Sequence, residues 1–268
     1  MEMKREKKSR RPSRLLSVGI GLQLSAIVLA VVAFFFPFYV INFTGGVIDN
    51  IASTNSKVSF KLRTYSCEFT NSLNSSLDTS ASFSYNDYAG IECIPILIPA
   101  VHYSDLSFVM NRCLTFLVLG CACSLVVIIF QSIMSFKETC RLCSMKSVTL
   151  IISLTPIICF IIAVLCLLEI TKVFEKETNS GSTSSDVNDL SLCQSLWCNS
   201  FLGSGSAGSV FANASVKWKP SIGWILAIVA AFISLFSCIF TVCAPLFIKN
   251  DHNHGRHHRG SNHILINQ

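Results

Sequence analysis

Four long apolar runs dominate the chain. Leu15–Ile41 is broken only by Gln23 and small residues such as Ser17 and Ser25, and Cys113–Ser135 holds Gln131 but no charge. Val148–Leu168 and Ser221–Ile248 contain no charged residue. Each run exceeds the roughly 18–20 residues that cross a hydrocarbon core of about 30 Å. None shows the polar stripe at 3.6-residue spacing that a helix on the surface of a soluble domain carries. The pattern predicts a membrane all-α fold, a bundle of four transmembrane helices at 15–41, 108–135, 148–170 and 220–248.

The intervening segments change character. Residues 42–107 and 171–219 are rich in Ser, Asn and Thr, and "ETNSGSTSSDVND" (177–189) reads as a flexible stretch. Within them, "KVSFKLRTYSC" (57–67) alternates Val58, Phe60 and Leu62 with Ser59, Lys61 and Arg63, the period of a strand. "GIECIPILIPAV" (90–101) is a second extended segment, and its Pro95 and Pro99 place it at a sheet edge. "ANASVKWK" (212–219) alternates Ala212, Ala214, Val216 and Trp218 with polar residues and runs into the fourth span. The two loops together are expected to form a small sheet on one membrane face.

Charge then orients the bundle. The N-terminal segment 1–14 carries seven Lys/Arg, while the 136–147 loop and the 249–268 tail carry three each. The opposite loops hold seven: Lys57, Lys61, Arg63, Lys172, Lys176, Lys217 and Lys219. Basic residues concentrate on the cytosolic side, so both termini are predicted to be cytosolic and both long loops extracellular. The formal charge of +6 is absorbed by this bias, and no nucleic-acid partner is inferred from it. The first run continues through "AFFFPFYVI", beyond a cleavable signal's apolar core of ~7–15 residues, and reads as a retained anchor. Sequons at Asn42, Asn74 and Asn213 all fall on the extracellular side, with Asn74 farthest from a span end.

Thirteen cysteines sort by this topology. Four face outside (Cys67, Cys93, Cys193 and Cys198), and the rest lie in spans or in the reducing cytosol. Zinc would need four convergent ligands, and the outer loops add only His102. Cys193 and Cys198 have four residues between them, unlike the C-x-x-C of redox pairs. The outer set therefore reads as two structural disulfides, although four cysteines admit three connectivities. Closing Cys67–Cys93 contributes about 3.5 kcal/mol, and Cys193–Cys198 about 2.2 kcal/mol, in the chain-entropy account.

Other residues carry narrower expectations. Arg112 and Glu169 lie near the same ends of the second and third spans, which a short turn makes antiparallel neighbours, so they are placed to pair. Cys140 and Cys143 in "CRLC" are juxtamembrane cysteines beside basic residues, candidates for S-acylation or plain thiols. Ser13 in "RRPS" fits a basophilic-kinase pattern, where phosphate would weaken attraction to anionic lipid. Trp197 and Trp218 are candidate interaction anchors, with packing against its own sheet the favoured use of Trp197. The tail "HNHGRHHRG" reads as solvated, and no metal ligands, cofactor or catalytic residues are assigned.

"WKPSIGWILAI" (218–228) places Pro220 in the first helical turn, with Trp218 and Trp224 in an interface belt. Its W-x-P-x-x-G-W-x-L pattern resembles one in four-span proteins of social amoebae. The layout of spans and loops is similar to the claudin and peripheral-myelin-protein superfamily. That resemblance implies one antiparallel sheet built from the first loop and the end of the second. Claudins carry Gly-Leu-Trp and two cysteines in the first loop, whereas Leu196-Trp197-Cys198 here stands in the second, so tight-junction or pore function is not implied.

The expected function is that of a non-enzymatic, disulfide-bonded and glycosylated organiser or adhesion protein in the plasma or an endosomal membrane. It would act through its extracellular module on membrane lipids, other membrane proteins or copies of itself. The alternatives are an oligomeric or auxiliary channel subunit and a membrane thiol oxidoreductase. No Ser-His-Asp set, H-E-x-x-H, P-loop or D-H-H-C motif points to another enzyme.

Overall fold

The structure is a computed structural model and describes residues 2–45, 47–48, 51–52, 54–71, 78–85, 104–136, 144–181, 195–206 and 214–257. Among the described residues there are five α-helices and eight strands, the helices being α1 Glu2–Ala33, α2 Ser104–Phe136, α3 Ser144–Cys166, α4 Ile170–Gly181 and α5 Ile222–His257. One 3₁₀ turn, Leu167–Glu169, joins α3 to α4. Four stretches are long and apolar enough to cross a membrane: Leu15–Ala33, Ser104–Met134, Val148–Lys176 and Ile222–Val242. Leucine, isoleucine, valine and phenylalanine side chains stand exposed along all four, as lipid-facing helices require. Pro156 lies inside α3.

The first span is shorter than the apolar run that predicts it. Beyond Ala33 the chain unwinds through three bonds to carbonyls three residues back, from Phe34 N to Val31 O through Phe36 N to Ala33 O. Pro37 then excludes further helix. Tyr39–Ile41, expected to end the helix, instead begin strand β1, Tyr39–Thr44. A short buried strand and the end of a buried helix have the same hydropathy, so the run could not separate them.

The other strands are β2 Val47–Ile48, β3 Ile51–Ala52, β4 Thr54–Phe60, β5 Thr64–Asn71, β6 Thr79–Ser84, β7 Gly203–Ser206 and β8 Ser215–Pro220. β2 and β3 pair with each other. The remaining six form one sheet in the order β6-β5-β4-β1-β8-β7, with every neighbour antiparallel. An all-α label therefore understates the fold, because a six-stranded sheet accompanies the helices. The segment 57–67 is not one strand but a hairpin turned at Lys61–Arg63, closed by Lys61 N to Thr64 O at 2.8 Å. The 212–219 segment yields β8, whereas 90–101 lies outside the described residues. Pro220 ends β8 opposite Tyr39 rather than opening α5.

The chain divides into two compact units, residues 1–28, 119–159 and 229–268 in one, and 29–118 and 160–228 in the other. The first contains two hydrogen-bonded polar rungs. Gln23 Nε2 on α1 donates to Ser124 Oγ on α2 at 2.7 Å and to Ser234 Oγ on α5 at 3.1 Å. Gln131 Nε2 on α2 donates to Thr241 Oγ1 and Ser237 Oγ on α5, and Ser237 Oγ donates to the Gly19 carbonyl on α1 at 2.8 Å. A Cβ at Gly19 would come within 3.3 Å of Thr241 Oγ1, so glycine is what lets the helices approach closely enough for the second rung.

The second unit contains the sheet. The entry to α5 is pinned to the turn after α1, with Ser221 N donating to Phe38 O and Gly223 N to Pro37 O, both at 2.9 Å. A Cβ at Gly223 would lie 2.8 Å from the Phe38 ring and 2.9 Å from the Phe36 carbonyl oxygen. Gly223→Ala is expected to cost ~1–3 kcal/mol as an overpacked site. Gly21→Ala, with nothing within 4 Å of the new methyl, is expected to be neutral or stabilising by up to ~1 kcal/mol. Thermal unfolding in detergent micelles measures both, and equal effects would contradict the packing described.

Candidate functional site

Strand alternation gives the sheet two chemically distinct faces. Register places Tyr39, Ile41 and Phe43 of β1 beside Phe60, Val58 and Ser56 of β4 on one side, and beside Pro220, Trp218 and Val216 of β8 on the other. Tyr65 and Cys67 of β5 and Phe83 and Ala81 of β6 continue the same face. Its centre is a run of aromatic contacts: Tyr39 touches Phe60, Phe174 and Phe201 with centroids 6.4, 6.0 and 5.6 Å apart. Phe60 stacks on Tyr65, which touches Phe83 and Tyr85. Phe174 comes from α4, so the helix continuing past the expected end of the third span supplies a core residue.

The segment that precedes β7 lies on this face. Leu196, Trp197 and Cys198 are all buried, with the Trp197 ring edge-on to Phe43 at 5.9 Å. Trp218 donates Nε1 to the Ser200 carbonyl at 2.9 Å. The glycines of β7 make room: a Cβ at Gly203 would collide with the Trp218 ring, and one at Gly205 with Leu196. Trp197 and Trp218, expected as interaction anchors, are therefore used in packing their own sheet.

The opposite face is polar. Lys217 of β8, Asn42 of β1, Lys57 of β4, Glu68 of β5 and Ser80 of β6 form one cross-strand row. Lys57 and Glu68 pair at 3.0 Å with both side chains well exposed, which contributes at most ~1 kcal/mol. Ser215, Lys219, Thr44, Asn55, Thr70, Ser66 and Ser82 occupy neighbouring positions. Asn42, one of the three sequon asparagines, stands in the middle of this surface. Asn74, Asn213, Cys93, Cys193, Cys140 and Cys143 lie outside the described residues, and position 13 falls on α1.

Below the sheet, Arg112 and Glu169 pair at 3.3 Å, with the Arg112 guanidinium 4.6 Å from the centre of the Phe108 ring. A second pair, Lys176 to Asp105 at 2.6 Å, joins α4 to α2. Cys113 and Cys166, on α2 and α3, are buried free thiols. Cys67 and Cys198 are in the bonded form rather than among the free thiols, and no pair of described cysteines is joined to each other. Sequence reasoning missed strand β1 and the glutamine rungs. The signal for the rungs was present in Gln23 and Gln131 at membrane depth, and in Ser234, Ser237 and Thr241 at helical spacing on α5.

No protein-family model and no curated protein matches the chain. The fold itself defines the class: a multi-pass membrane protein with four membrane-crossing helices and a six-stranded antiparallel sheet.

Burial pushes the Tyr39 hydroxyl well above its ordinary 10.0, and Tyr85 likewise, with nearby Cys113 and Tyr65 adding to burial for Tyr85. The folded state thus keeps both phenols protonated where the unfolded chain would ionise. Their contribution is fully present below pH 10 and is lost as the pH rises beyond it. Tyr39 also donates to the Phe201 carbonyl at 3.1 Å. Tyr39→Phe is expected to cost ~1 kcal/mol at neutral pH and to make the alkaline loss shallower. Melting curves from pH 7 to about 11 check this; an unchanged alkaline slope in the variant would contradict it.

Proposed function

We propose that the chain is a non-enzymatic four-span organiser that engages neighbouring membrane proteins through the polar face of its sheet. The sheet lies outside the cell, and both termini lie in the cytosol. The observation that carries this reading is the division of labour between the faces. One is filled by the protein's own aromatic side chains, while the other carries Ser, Thr, Asn, Lys and Glu side chains around a buried Val40 and Ser59. The bias of basic residues toward the termini and the 136–147 loop supports the orientation. The glutamine rungs disfavour the channel reading, because Gln23 and Gln131 bond to neighbouring helices. Likeness in layout to the claudin and peripheral-myelin-protein superfamily, glycosylation, and bridges Cys67–Cys93 and Cys193–Cys198 belong to the same proposal.

Proximity labelling from a C-terminal tag in the native cell tests it. The double substitution Lys217→Glu and Lys219→Glu changes exposed charge away from the Lys57–Glu68 pair and is expected to alter stability by no more than ~0.5 kcal/mol. It should remove membrane neighbours labelled by the wild type while surface delivery is unchanged, and the C-terminal epitope should stain only after permeabilisation. An unchanged neighbourhood would contradict the polar-face assignment, and unitary currents from the purified protein in planar bilayers would favour the channel. In non-reducing peptide maps of the same protein, a peptide joining Cys193 to Cys67 or Cys93 would refute the local bridge.

A further inference from the structure

A group of apolar side chains is left exposed where the helices meet the sheet. Phe35 is 74% exposed, Phe36 39%, Ile222 52% and Leu202 65%. Three of these border membrane-crossing helices, since Phe35 and Phe36 follow the last residue of α1 and Ile222 is the first of α5. Leu202 does not. It belongs to the second loop, immediately before β7, where an exposed leucine needs another explanation.

Its position is set by its neighbour. The Phe201 ring packs edge-on against Trp224 at 5.5 Å and lies tilted against Tyr39 at 5.6 Å. Trp224 sits in the first turn of α5 and donates Nε1 to the Val164 carbonyl on α3 at 3.2 Å. The 34–37 turn docks on the same turn of α5, through Gly223 N to Pro37 O. Leu202, Phe35, Phe36 and Ile222 are therefore all held near the first turn of α5, where the apolar span Ile222–Val242 begins.

We propose that Leu202 is a lipid-inserted foot: together with Phe35 and Phe36 it enters the acyl boundary of the leaflet on the sheet side. It holds the β7 edge of the sheet down on the membrane. Lipid is the occupant because the patch continues onto α5 residues such as Ile225, which are exposed on a span that must face acyl chains. The described loop around it, Ser195–Ser206, carries no charge that would oppose entry. Removal of the leucine side chain from water favours insertion, and the loop is already positioned by Phe201. Aromatic residues such as Trp224 are at home at the same boundary.

Photocrosslinking of the full chain in phosphatidylcholine liposomes tests this. With p-benzoylphenylalanine replacing Leu202, irradiation should add the mass of a phospholipid. The same probe replacing Lys217, on the polar face, should lose that adduct. A dimer-mass product at position 202 would assign the patch to a second copy and overturn the proposal. So would a lipid adduct at 202 no stronger than at 217.

Discussion

The structure depends on one strand pairing. β1 leaves the first membrane-crossing helix and receives β4 on one edge and β8 on the other, so Ile41 faces both Val58 and Trp218. β8 in turn leads into α5 after a single residue, Ser221. Two loops far apart in sequence are thereby joined by main-chain hydrogen bonds, and β1 and β8 are each tied covalently to a membrane helix. A backbone paired on both sides leaves no buried donor without a partner. The aromatic face can then close over Tyr39 without leaving a central polar backbone exposed to it.

Side-chain chemistry follows from that frame. Because successive residues of β1 and β8 point to opposite faces, every large ring on them falls on one face and every lysine of β8 on the other. The edge strand β7 is reduced to Gly-Ser-Gly-Ser because Trp218 and Leu196 need the space that side chains at Gly203 and Gly205 would occupy. In the other unit side chains supply part of the same satisfaction, although Gln131 Oε1 is buried without a partner among the described residues. Gln23 and Gln131 each bind hydroxyls on neighbouring helices, in surroundings where water cannot take their place. Interhelical bonds of this kind are worth ~0.6–2 kcal/mol each, a modest energy with a strong effect on which helix faces meet.

Much of this was legible in the residues. The four spans could be read because an apolar run of their length has few other uses. β8 could be read because Val216 and Trp218 alternate with Lys217 and Lys219. The pairing of Arg112 with Glu169 followed from the short turn between their helices. What could not be read has a common cause. Tyr39-Val40-Ile41 is apolar whether it ends a helix or starts a buried strand, and only its partners Phe60 and Trp218, distant in sequence, decide between them. The hairpin at Lys61–Arg63 was hidden because alternation continues across it without a Gly or Asn to mark a turn. Packing of Trp197 against its own sheet is the favoured reading, but nothing local reveals that Phe43 is the ring it meets.

Hydrogen–deuterium exchange on the protein in nanodiscs tests the central pairing most directly. Amides of Tyr39–Thr44 and of residues 215–219 should be protected together and should lose protection together when Ile41→Asp places a charge at their junction. Rapid exchange across 215–219 while 39–44 stays protected would show that the two loops are not joined in one sheet.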